Sequence, residues 1–237
     1  RAKIRNKLSD IAQGKYLLFI DSDALVMSTN FLSEYIKYVP YHDVIYGGIS
    51  TPVRMPDKRN RTLRLAYEKA AENIRSLSFR KKNPYKYISA FNILIKHELF
   101  DQIKFNENCT LYGYEDALLG IELKIRKKEI YHIDNPLLHT GIDTNEEYLE
   151  KIKDSLTTLY TIGNTMQNES SICKIQKLIT KVKLNTPIDI LFTHIFKKRF
   201  EKNLLSTSPS LSILQLYKIG YYCHICQTNE KKRKNIR

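Results

Sequence analysis

Two carboxylates stand one residue apart at the end of an apolar run, in Lys15-Tyr-Leu-Leu-Phe-Ile-Asp21-Ser-Asp23. The run from Tyr16 to Ile20, with Gly14 in front of it, is typical of a strand covered on both faces. Ligands of an open α/β sheet collect outside the carboxyl ends of its strands, and carboxylate oxygens there suit Mg²⁺ or Mn²⁺. The alternative is a solvated turn in which an aspartate caps the next helix.

A second acidic pair, Glu115 and Asp116, precedes apolar residues at helical spacing, from Leu118 to Ile125. The pair is therefore predicted in the first turn of a helix, where the helix dipole favours carboxylates. Such a pair can be no more than a cap. It can also supply a general base, provided that it is ionised and reaches a substrate hydroxyl.

A third strand-like run, from Ile130 to Gly141, contains two histidines. His132 lies inside the run, where a hydrogen-bonded structural histidine is the ordinary alternative to a ligand. His139 ends its apolar run as Asp21 ends the first one. Both residues can therefore converge on one edge of the sheet, and imidazole is a plausible metal ligand there.

This order of a strand with Asp-x-Asp, a Glu-Asp pair opening a helix, and a later His resembles the nucleotide-sugar glycosyltransferases of the GT-A fold, family 2 in particular. Residues 1–23 are similar to that family's helix-Gly-Lys/Glu-Tyr-apolar-Asp-x-Asp passage. The stretches Val44-Ile-Tyr-Gly-Gly-Ile49 and Tyr112–Asn135 resemble the branch common in bacterial surface-polysaccharide clusters. The resemblance covers residues 1–165 or so and implies an α/β fold, with a Rossmann-like mixed sheet and helices on both faces.

The chain begins at Arg1, inside what resembles the helix before the Asp-x-Asp strand. The resemblance therefore implies a GT-A core that lacks its first strands, as in a fragment of a longer protein that need not be active alone. We predict residues 1–150 as the C-terminal portion of that core and residues 151–237 as a basic helical extension.

The resemblance also implies an activity. It is metal-dependent, inverting transfer of a sugar from a nucleotide-sugar donor, expected to be a UDP-sugar, to a hydroxyl of a glycan or lipid-linked acceptor. Mn²⁺ or Mg²⁺ would be held by Asp23 and His139, and Asp21 would contact the ribose or sugar of the donor. Asp116 would be the catalytic base.

Three further residues are expected to bind substrate. Glu115 would bind acceptor hydroxyls, and Tyr114 stands beside it. The family often has a Gly-rich acceptor loop before the Glu-Asp pair, whereas the matching stretch here is Ile88-Ser-Ala-Phe-Asn92, which makes Asn92 the third.

The composition is that of a soluble enzyme with one main domain. The chain has 237 residues, of which 42% are hydrophobic and 11% aromatic, so it can bury a sizeable core. It contains no apolar run of about 18 residues, which a spanning helix needs. Cys223-His-Ile-Cys226 has no second cysteine pair, so free cytosolic thiols are favoured over a zinc site.

Basic residues are concentrated in two segments of a chain whose net charge is +14. The region from Thr51 to Pro84 is predicted to be helical and can line an anionic donor or acceptor, or be a solvated face. Its basic residues are Arg54, Lys58, Arg59, Arg61, Arg64, Arg75, Arg80, Lys81 and Lys82. A predicted amphipathic helix from Pro187 to Leu205 can lie on an anionic membrane surface or pack on the catalytic domain. We expect a cytoplasmic protein at the inner face of the cell membrane, and no nucleic acid as partner.

Two other classes remain open at this point. Phe19-Ile-Asp21-Ser-Asp23 also resembles the first motif of haloacid-dehalogenase-like phosphatases, in which the first aspartate is a nucleophile and the second an acid/base. A basic nucleic-acid-binding module would need stacking aromatic residues among its basic ones, and Tyr85, Lys86 and Tyr87 are a small set for that role.

Overall fold

The computed structural model describes residues 1–52 and 60–235, and the side chains as far as residue 232. The described chain divides into two compact units. The first contains residues 1–52, 67–107 and 114–142, and the second contains residues 60–66, 108–113 and 143–235. Three of the basic residues singled out above, Arg54, Lys58 and Arg59, lie outside the described residues.

Two mixed sheets form the centre of the first unit. Their strands are β1 (Tyr16–Ile20), β2 (Ala24–Leu25), β3 (Val44–Tyr46), β4 (Ile49–Ser50), β5 (Asn92–Lys96), β6 (Tyr131–His132) and β7 (Leu137–His139). The larger sheet has the order β1-β5-β3-β6, in which β5 is antiparallel to both neighbours and β3 is parallel to β6. The smaller sheet has the order β2-β7-β4, with β2 antiparallel and β4 parallel to β7.

Seven helices belong to the described chain before residue 126. They are α1 (Ala2–Ile11), α2 (Phe31–Ile36), α3 (Thr62–Ala70), α4 (Glu72–Arg75), α5 (Leu77–Lys82), α6 (His97–Ile103) and α7 (Glu115–Ile125). The prediction that Glu115 and Asp116 open a helix is confirmed, since both lie in the first turn of α7.

The alternation of side chains along the strands divides the core between the two faces of the larger sheet. On β5, Ile93 and Ile95 join a cluster that includes Phe100 of α6 and Leu123 of α7. Leu94, between them, points into a second cluster with Phe31 and Tyr35 of α2. Helices therefore cover both faces, and the first unit is a mixed α/β structure.

Strand β1 has the predicted bounds but not the predicted burial. Leu17 is buried, whereas Ile20 is 42% exposed and the other three residues are half-buried. The reason is its position, because β1 lies at one end of the four-stranded sheet, next to β5. Both faces of the strand are still covered as expected, since Leu17 and Phe19 pack in one core cluster and Tyr16 and Leu18 pack against the other, but the burial is partial.

The second unit is helical. Its helices after residue 143 are α8 (Asn145–Thr161), α9 (Gly163–Met166), α10 (Ser171–Lys181), α11 (Asn185–Leu191), a π-helix (Phe192–Phe196), α12 (Lys197–Leu204) and α13 (Leu211–Asn235). Thr144 and Glu147 form a capping box at the start of α8, which therefore crosses residue 150 without a break. Helices α8, α10, α11 and α12 all pack against α13.

The helix predicted from Pro187 to Leu205 is interrupted by the π-helix. Within it, Phe192 is buried against α13, where Gly220 leaves room for the ring: a Cβ at position 220 would lie 2.6 Å from the ring carbon Cγ. Ile195, in the same π-helix, is exposed.

The remaining sequence features of the second unit have ordinary structural settings. Cys223 and Cys226 lie on α13 as free thiols, beside Cys173 of α10. Burial raises the pKa of Cys223 to about 11 and that of Cys226 to about 12. As far as the chain is described, none of its helices is both long enough and apolar enough to cross a bilayer.

Candidate active site

One guanidinium connects the two acidic pairs. Arg5 Nη2 lies 2.6 Å from Asp21 Oδ1, and Nη1 lies 3.4 Å from Glu115 Oε1 and 4.0 Å from Asp116 Oδ1. The side chain of Arg5 is 10% exposed, so these attractions are only weakly screened by water. Three carboxylates therefore share one cation, which leaves the cluster with excess negative charge when all of them are ionised.

Helix α1 places Arg5 by burying a polar stripe. Its buried residues are Ala2, Arg5, Asn6 and Ser9, at the spacing of one helix face. Asn6 fixes this face by donating to the Phe105 carbonyl and accepting from the Phe105 N–H, both at 2.9 Å. The opposite, aliphatic face of α1 is exposed, with Ile4, Leu8 and Ile11 between 55% and 75% accessible.

An open groove of about 700 Å³ runs between α1 and β1, and Arg5, Asp21, Ser22 and Asp23 are among its lining residues. The Asp21–Asp23 turn therefore faces a space that a small molecule can enter. The two aspartates point to different partners, however. Asp21 pairs with Arg5, whereas Asp23 Oδ2 lies 3.3 Å from His139 Nε2.

The carboxyl group of Asp116 is held from one side only. Ser89 Oγ donates to Oδ2 at 2.7 Å, while Oδ1 is buried and has no hydrogen-bond partner among the described residues. Since the side chain is 26% exposed and Oδ1 is covered, Oδ2 is the oxygen that an approaching hydroxyl can reach.

The pKa of Asp116 is raised from 3.8 to about 6. Burial is the main cause and repulsion from Glu115 adds to it, whereas Arg5 and the hydrogen bonds from Ser89 and Ala90 act in the opposite direction. A carboxylate with a pKa just below neutrality is ionised at pH 7 and is a much better proton acceptor than an ordinary aspartate.

The second cluster is a chain of three side chains. His139 Nδ1 lies 2.9 Å from Glu68 Oε1 and its Nε2 lies 3.3 Å from Asp23 Oδ2. Pairing of β2 with β7 brings them together, because Ala24 stands opposite His139 in the ladder. Thr140 stabilises this strand pairing by donating two hydrogen bonds to the Asp23 carbonyl oxygen, from its N–H at 2.9 Å and from Oγ1 at 2.8 Å.

Glu68 determines which face of the imidazole is available. It is fully buried, and its other oxygen, Oε2, lies 3.4 Å from Arg75 Nη1 and 3.5 Å from Thr51 Oγ1. A buried carboxylate accepts the single N–H of a neutral imidazole at Nδ1. Since Nδ1 lies against Glu68, Nε2 is the ring nitrogen directed at Asp23, and a metal cation could lie between the two side chains.

The donor set at this point fits a divalent cation. One carboxylate oxygen and one imidazole nitrogen face each other, the histidine is fixed by a buried carboxylate, and Asp23 is 40% exposed, so coordination positions stay open for other ligands. Within the described residues, no group of three or more His, Cys, Asp and Glu side chains is arranged to hold a metal. The remaining ligands would thus have to come from substrate and water.

The position of the Asp23 carboxylate beside His139 requires glycine at position 141, because a side chain there would collide with Asp23. A Cβ at position 141 would lie 2.6 Å from Asp23 Cβ and nearer still to Asp23 Oδ2. Any larger residue there would displace the Asp23 carboxylate from His139.

Two of the residues expected to bind substrate have other surroundings. Asn92 is completely buried, and its amide donates to the carbonyls of Gly48 and Asn135, both at 2.8 Å, and accepts from Tyr35 Oη at 2.7 Å. Its amide is therefore committed to holding strands and loops of the core. Tyr114 is the N-cap of α7 with φ of 71°, a left-handed conformation that costs energy for tyrosine and sets the direction in which α7 starts.

Arg80, near the end of the basic region from Thr51 to Pro84, and His132, which lies beside it, both serve the fold. Arg80 is 2% exposed and donates to the carbonyls of Tyr46 and Ile133 at 3.2 and 3.1 Å. His132 is buried beside it, with Nε2 2.9 Å from the Pro84 carbonyl, and burial lowers the pKa of His132 to about 4. His132 is thus a neutral structural histidine, the alternative kept open for it from sequence.

Sequence reasoning missed three polar side chains of these clusters: Arg5, Glu68 and Ser89. A weak signal exists for two of them. Glu68 is one of three acidic residues, with Asp57 and Glu72, in the basic region from Thr51 to Pro84, and Ser89 lies in the segment that replaces the expected Gly-rich loop.

The chain has no sequence match among known protein families, and its likeness to a known structure is weak. No protein-family model matches the chain, and no curated protein matches its sequence. A similar solved structure is the crystal structure of S. aureus TarS 1–349. That chain is 14% identical with a TM-score of 0.41, and the match covers 97% of this chain and 71% of that one. A likeness of this size does not establish a shared activity, so function must be inferred from the site.

Proposed function

We propose that this protein is a metal-dependent inverting glycosyltransferase, which moves a sugar from a nucleotide-sugar donor to a hydroxyl of a glycan or lipid-linked acceptor. The observation that carries the proposal is the convergence on Arg5, which joins Asp21 of the Asp21–Asp23 turn to Glu115 and Asp116 of α7. Two acidic motifs that are far apart in sequence thereby belong to one polar cluster, as one donor and one acceptor would require.

Asp116 is the general base in this proposal. Its Oδ2 takes the proton of the acceptor hydroxyl while the hydroxyl oxygen attacks the anomeric carbon. The new C–O bond forms as the bond from that carbon to the diphosphate oxygen breaks, and the proton passes later from Asp116 to water. The pKa of about 6 supports this role, and Ser89 would fix the orientation of the carboxyl group.

The leaving group is a nucleoside diphosphate, whose negative charge must be balanced. Mn²⁺ or Mg²⁺ held by Asp23 and His139 would supply that charge as a Lewis acid. Glu68 orients the imidazole, and Arg5 restrains Asp21 at the side of the groove where the ribose or sugar of the donor would lie. Glu115, 4% exposed, would reach acceptor hydroxyls only by releasing Arg5.

The phosphatase alternative is not favoured. A phosphoryl-accepting aspartate must be free to attack, whereas Asp21 is held by Arg5 at 2.6 Å. Asp23, which would be the acid/base of that mechanism, is directed at His139 instead.

A donor screen tests the proposal. The protein is incubated with a panel of nucleotide sugars and with Mn²⁺ or a chelator, and release of nucleoside diphosphate is measured. We expect release from one donor class that requires the metal and that Asp116→Asn and Asp23→Ala both suppress. Release that is independent of metal and unchanged in both variants would contradict the proposal, as would hydrolysis of phosphate monoesters in place of nucleotide sugars.

Glu68→Gln is expected to weaken Mn²⁺ binding by about 10- to 100-fold, because glutamine is isosteric but a weaker acceptor for the Nδ1–H of His139. Glu68 is a positioning residue, so the measurement is the Mn²⁺ dissociation constant in the presence of UDP, with circular dichroism to verify the fold. Thr51→Val is the matched control, since it removes the neighbour of Oε2 and leaves Oε1 on His139. Equal affinities in wild type and Glu68→Gln would show that Glu68 has no part in ligand placement.

A further inference from the structure

The segment from Lys174 to Leu205 in the second unit exposes much aliphatic surface. Eight of its large hydrophobic side chains are between 36% and 62% exposed: Ile175, Leu178, Val182, Leu184, Ile190, Leu191, Ile195 and Leu205. Single exposed hydrophobic residues are normal on a protein, whereas exposed residues that share one face, as Ile175, Leu178 and Val182 do by their helical spacing, are typical of a binding surface.

The exposed charges of this segment have one sign. Its basic residues are Lys174, Lys177, Lys181, Lys183, Lys197, Lys198, Arg199 and Lys202. Its two acidic residues are engaged in the fold. Asp189 is 8% exposed and lies 2.7 Å from His224 Nδ1, and Glu201 accepts a hydrogen bond from Tyr217 at 2.9 Å. We call the exposed aliphatic and basic residues of 174–205 the basic–aliphatic surface.

Helix α10 shows that the exposed aliphatic groups are not needed for packing. Cys173 and Ile179 are buried, and α10 packs against α13, where Cys173 Sγ lies 3.7 Å from Tyr222 Oη. Ile175, Leu178 and Val182 recur at helical spacing on another side and are 37%, 62% and 53% exposed. The helix therefore has a second apolar stripe directed to solvent, and the exposed Lys174 and Lys181 flank it.

The chemistry of the surface selects among partners. Nucleic acid binding would call for exposed aromatic rings among the basic residues, but all eight exposed hydrophobic side chains are aliphatic, and Phe192 is buried. A second copy of the same surface would bring like charges together. Aliphatic groups mixed with lysines match the boundary between anionic headgroups and acyl chains.

We propose that the basic–aliphatic surface docks on an anionic lipid bilayer. Its aliphatic side chains enter the headgroup and acyl boundary, and its lysines and arginine contact lipid phosphates. Lys197 contributes less than the others, because it is half-buried with Nζ 5.9 Å from the centre of the Tyr221 ring. This inference concerns the second unit alone and stands whether or not the protein transfers sugars.

Vesicle flotation tests the proposal with the whole chain. We expect binding to vesicles of phosphatidylcholine with phosphatidylglycerol at low salt, weaker binding at high salt, and little binding to phosphatidylcholine alone. Reversing Lys174, Lys181 and Lys198 to glutamate should lower the partition coefficient by at least about 10²-fold. Changing Leu178, Ile190 and Ile195 to serine should also lower the partition coefficient. This decrease should depend less on salt than the decrease caused by the charge reversals.

Matched controls separate this surface from overall charge and hydrophobicity. Reversing Lys3, Lys7 and Lys127 changes the net charge equally, and Leu32→Ser with Ile36→Ser removes exposed aliphatic groups of the first unit. Both controls should bind vesicles as wild type does. Absence of flotation at low salt, equal loss in the controls, or binding to single-stranded RNA in place of vesicles would overturn the proposal.

Discussion

Asp116→Asn is expected to lower kcat for glycosyl transfer by at least about 10²-fold, the usual contribution of a positioned base, while donor affinity changes by no more than a few-fold. Asparagine has the same shape and can accept the Ser89 hydrogen bond, but it cannot take up the acceptor's proton. The measurement is steady-state kinetics with calorimetric donor binding. Comparable losses of rate and donor affinity would show that Asp116 instead supports the metal site or the start of α7.

The same substitution should stabilise the protein at pH 7. The rise in the pKa of Asp116 from 3.8 to about 6 means that the folded state favours the protonated form. Its contribution is favourable below the unfolded pKa and is lost as pH rises through about 6, a change equivalent to roughly 3 kcal/mol. Denaturant unfolding should show Asp116→Asn more stable than wild type above pH 6, with the difference vanishing near pH 4.

Activity should also follow this titration. Transfer by the wild-type enzyme should rise with pH as Asp116 ionises, with a midpoint near pH 6 and a plateau at higher pH. Asp101→Asn is the matched control, since it neutralises an exposed carboxylate on α6 and should change neither the pH profile nor kcat. A variant at position 116 that keeps the wild-type profile would exclude Asp116 as the base.

Asp23→Ala should abolish Mn²⁺-dependent donor binding, because it removes the carboxylate that lies 3.3 Å from Nε2 of His139. Calorimetry with Mn²⁺ and UDP is the measurement. Asp10→Ala removes an exposed carboxylate that pairs with Lys104 and should leave binding unchanged. If donor and metal bind Asp23→Ala as they bind wild type, the metal assignment is wrong.

A steric variant reaches the same carboxylate without removing its charge. Gly141→Ala would place a methyl group 2.6 Å from Asp23 Cβ and in collision with the Asp23 carboxylate, so the side chain must turn away from His139. The variant should reproduce the metal defect of Asp23→Ala in the same calorimetric measurement, while its net charge is unchanged.

Local sequence patterns predicted the elements that carry the site. The apolar run and acidic pair located β1 and the turn after it, and the stripe from Leu118 onward located α7. The end of the run at His139 indicated that this ring could lie near the first motif, and pairing of β2 with β7 places it 3.3 Å from Asp23. Each of these features depends on residues close in sequence or on strand ends that share an edge.

The partners of the acidic groups could not be predicted in the same way. Arg5 was missed because periodicity favours burying Ile4, Leu8 and Ile11 of α1, whereas the structure buries the polar stripe of Arg5, Asn6 and Ser9. Glu68 was missed because only tertiary packing brings it to His139, 71 residues away. Likewise, the spacing of Asp21 and Asp23 suggested one shared ligand, but their side chains diverge toward Arg5 and His139.

Electron spin echo envelope modulation of Mn²⁺ bound in the presence of UDP tests the central claim most directly. The method detects nitrogen coordinated to the metal, and only His139 is expected to supply it. We predict a nitrogen modulation in the wild-type protein that is lost in His139→Ala. His97→Ala should retain it, because the ring of His97 lies at another place, with Nδ1 2.9 Å from the Gly14 carbonyl oxygen. Bound Mn²⁺ without nitrogen modulation, or modulation that survives in His139→Ala, would contradict a metal site at Asp23 and His139.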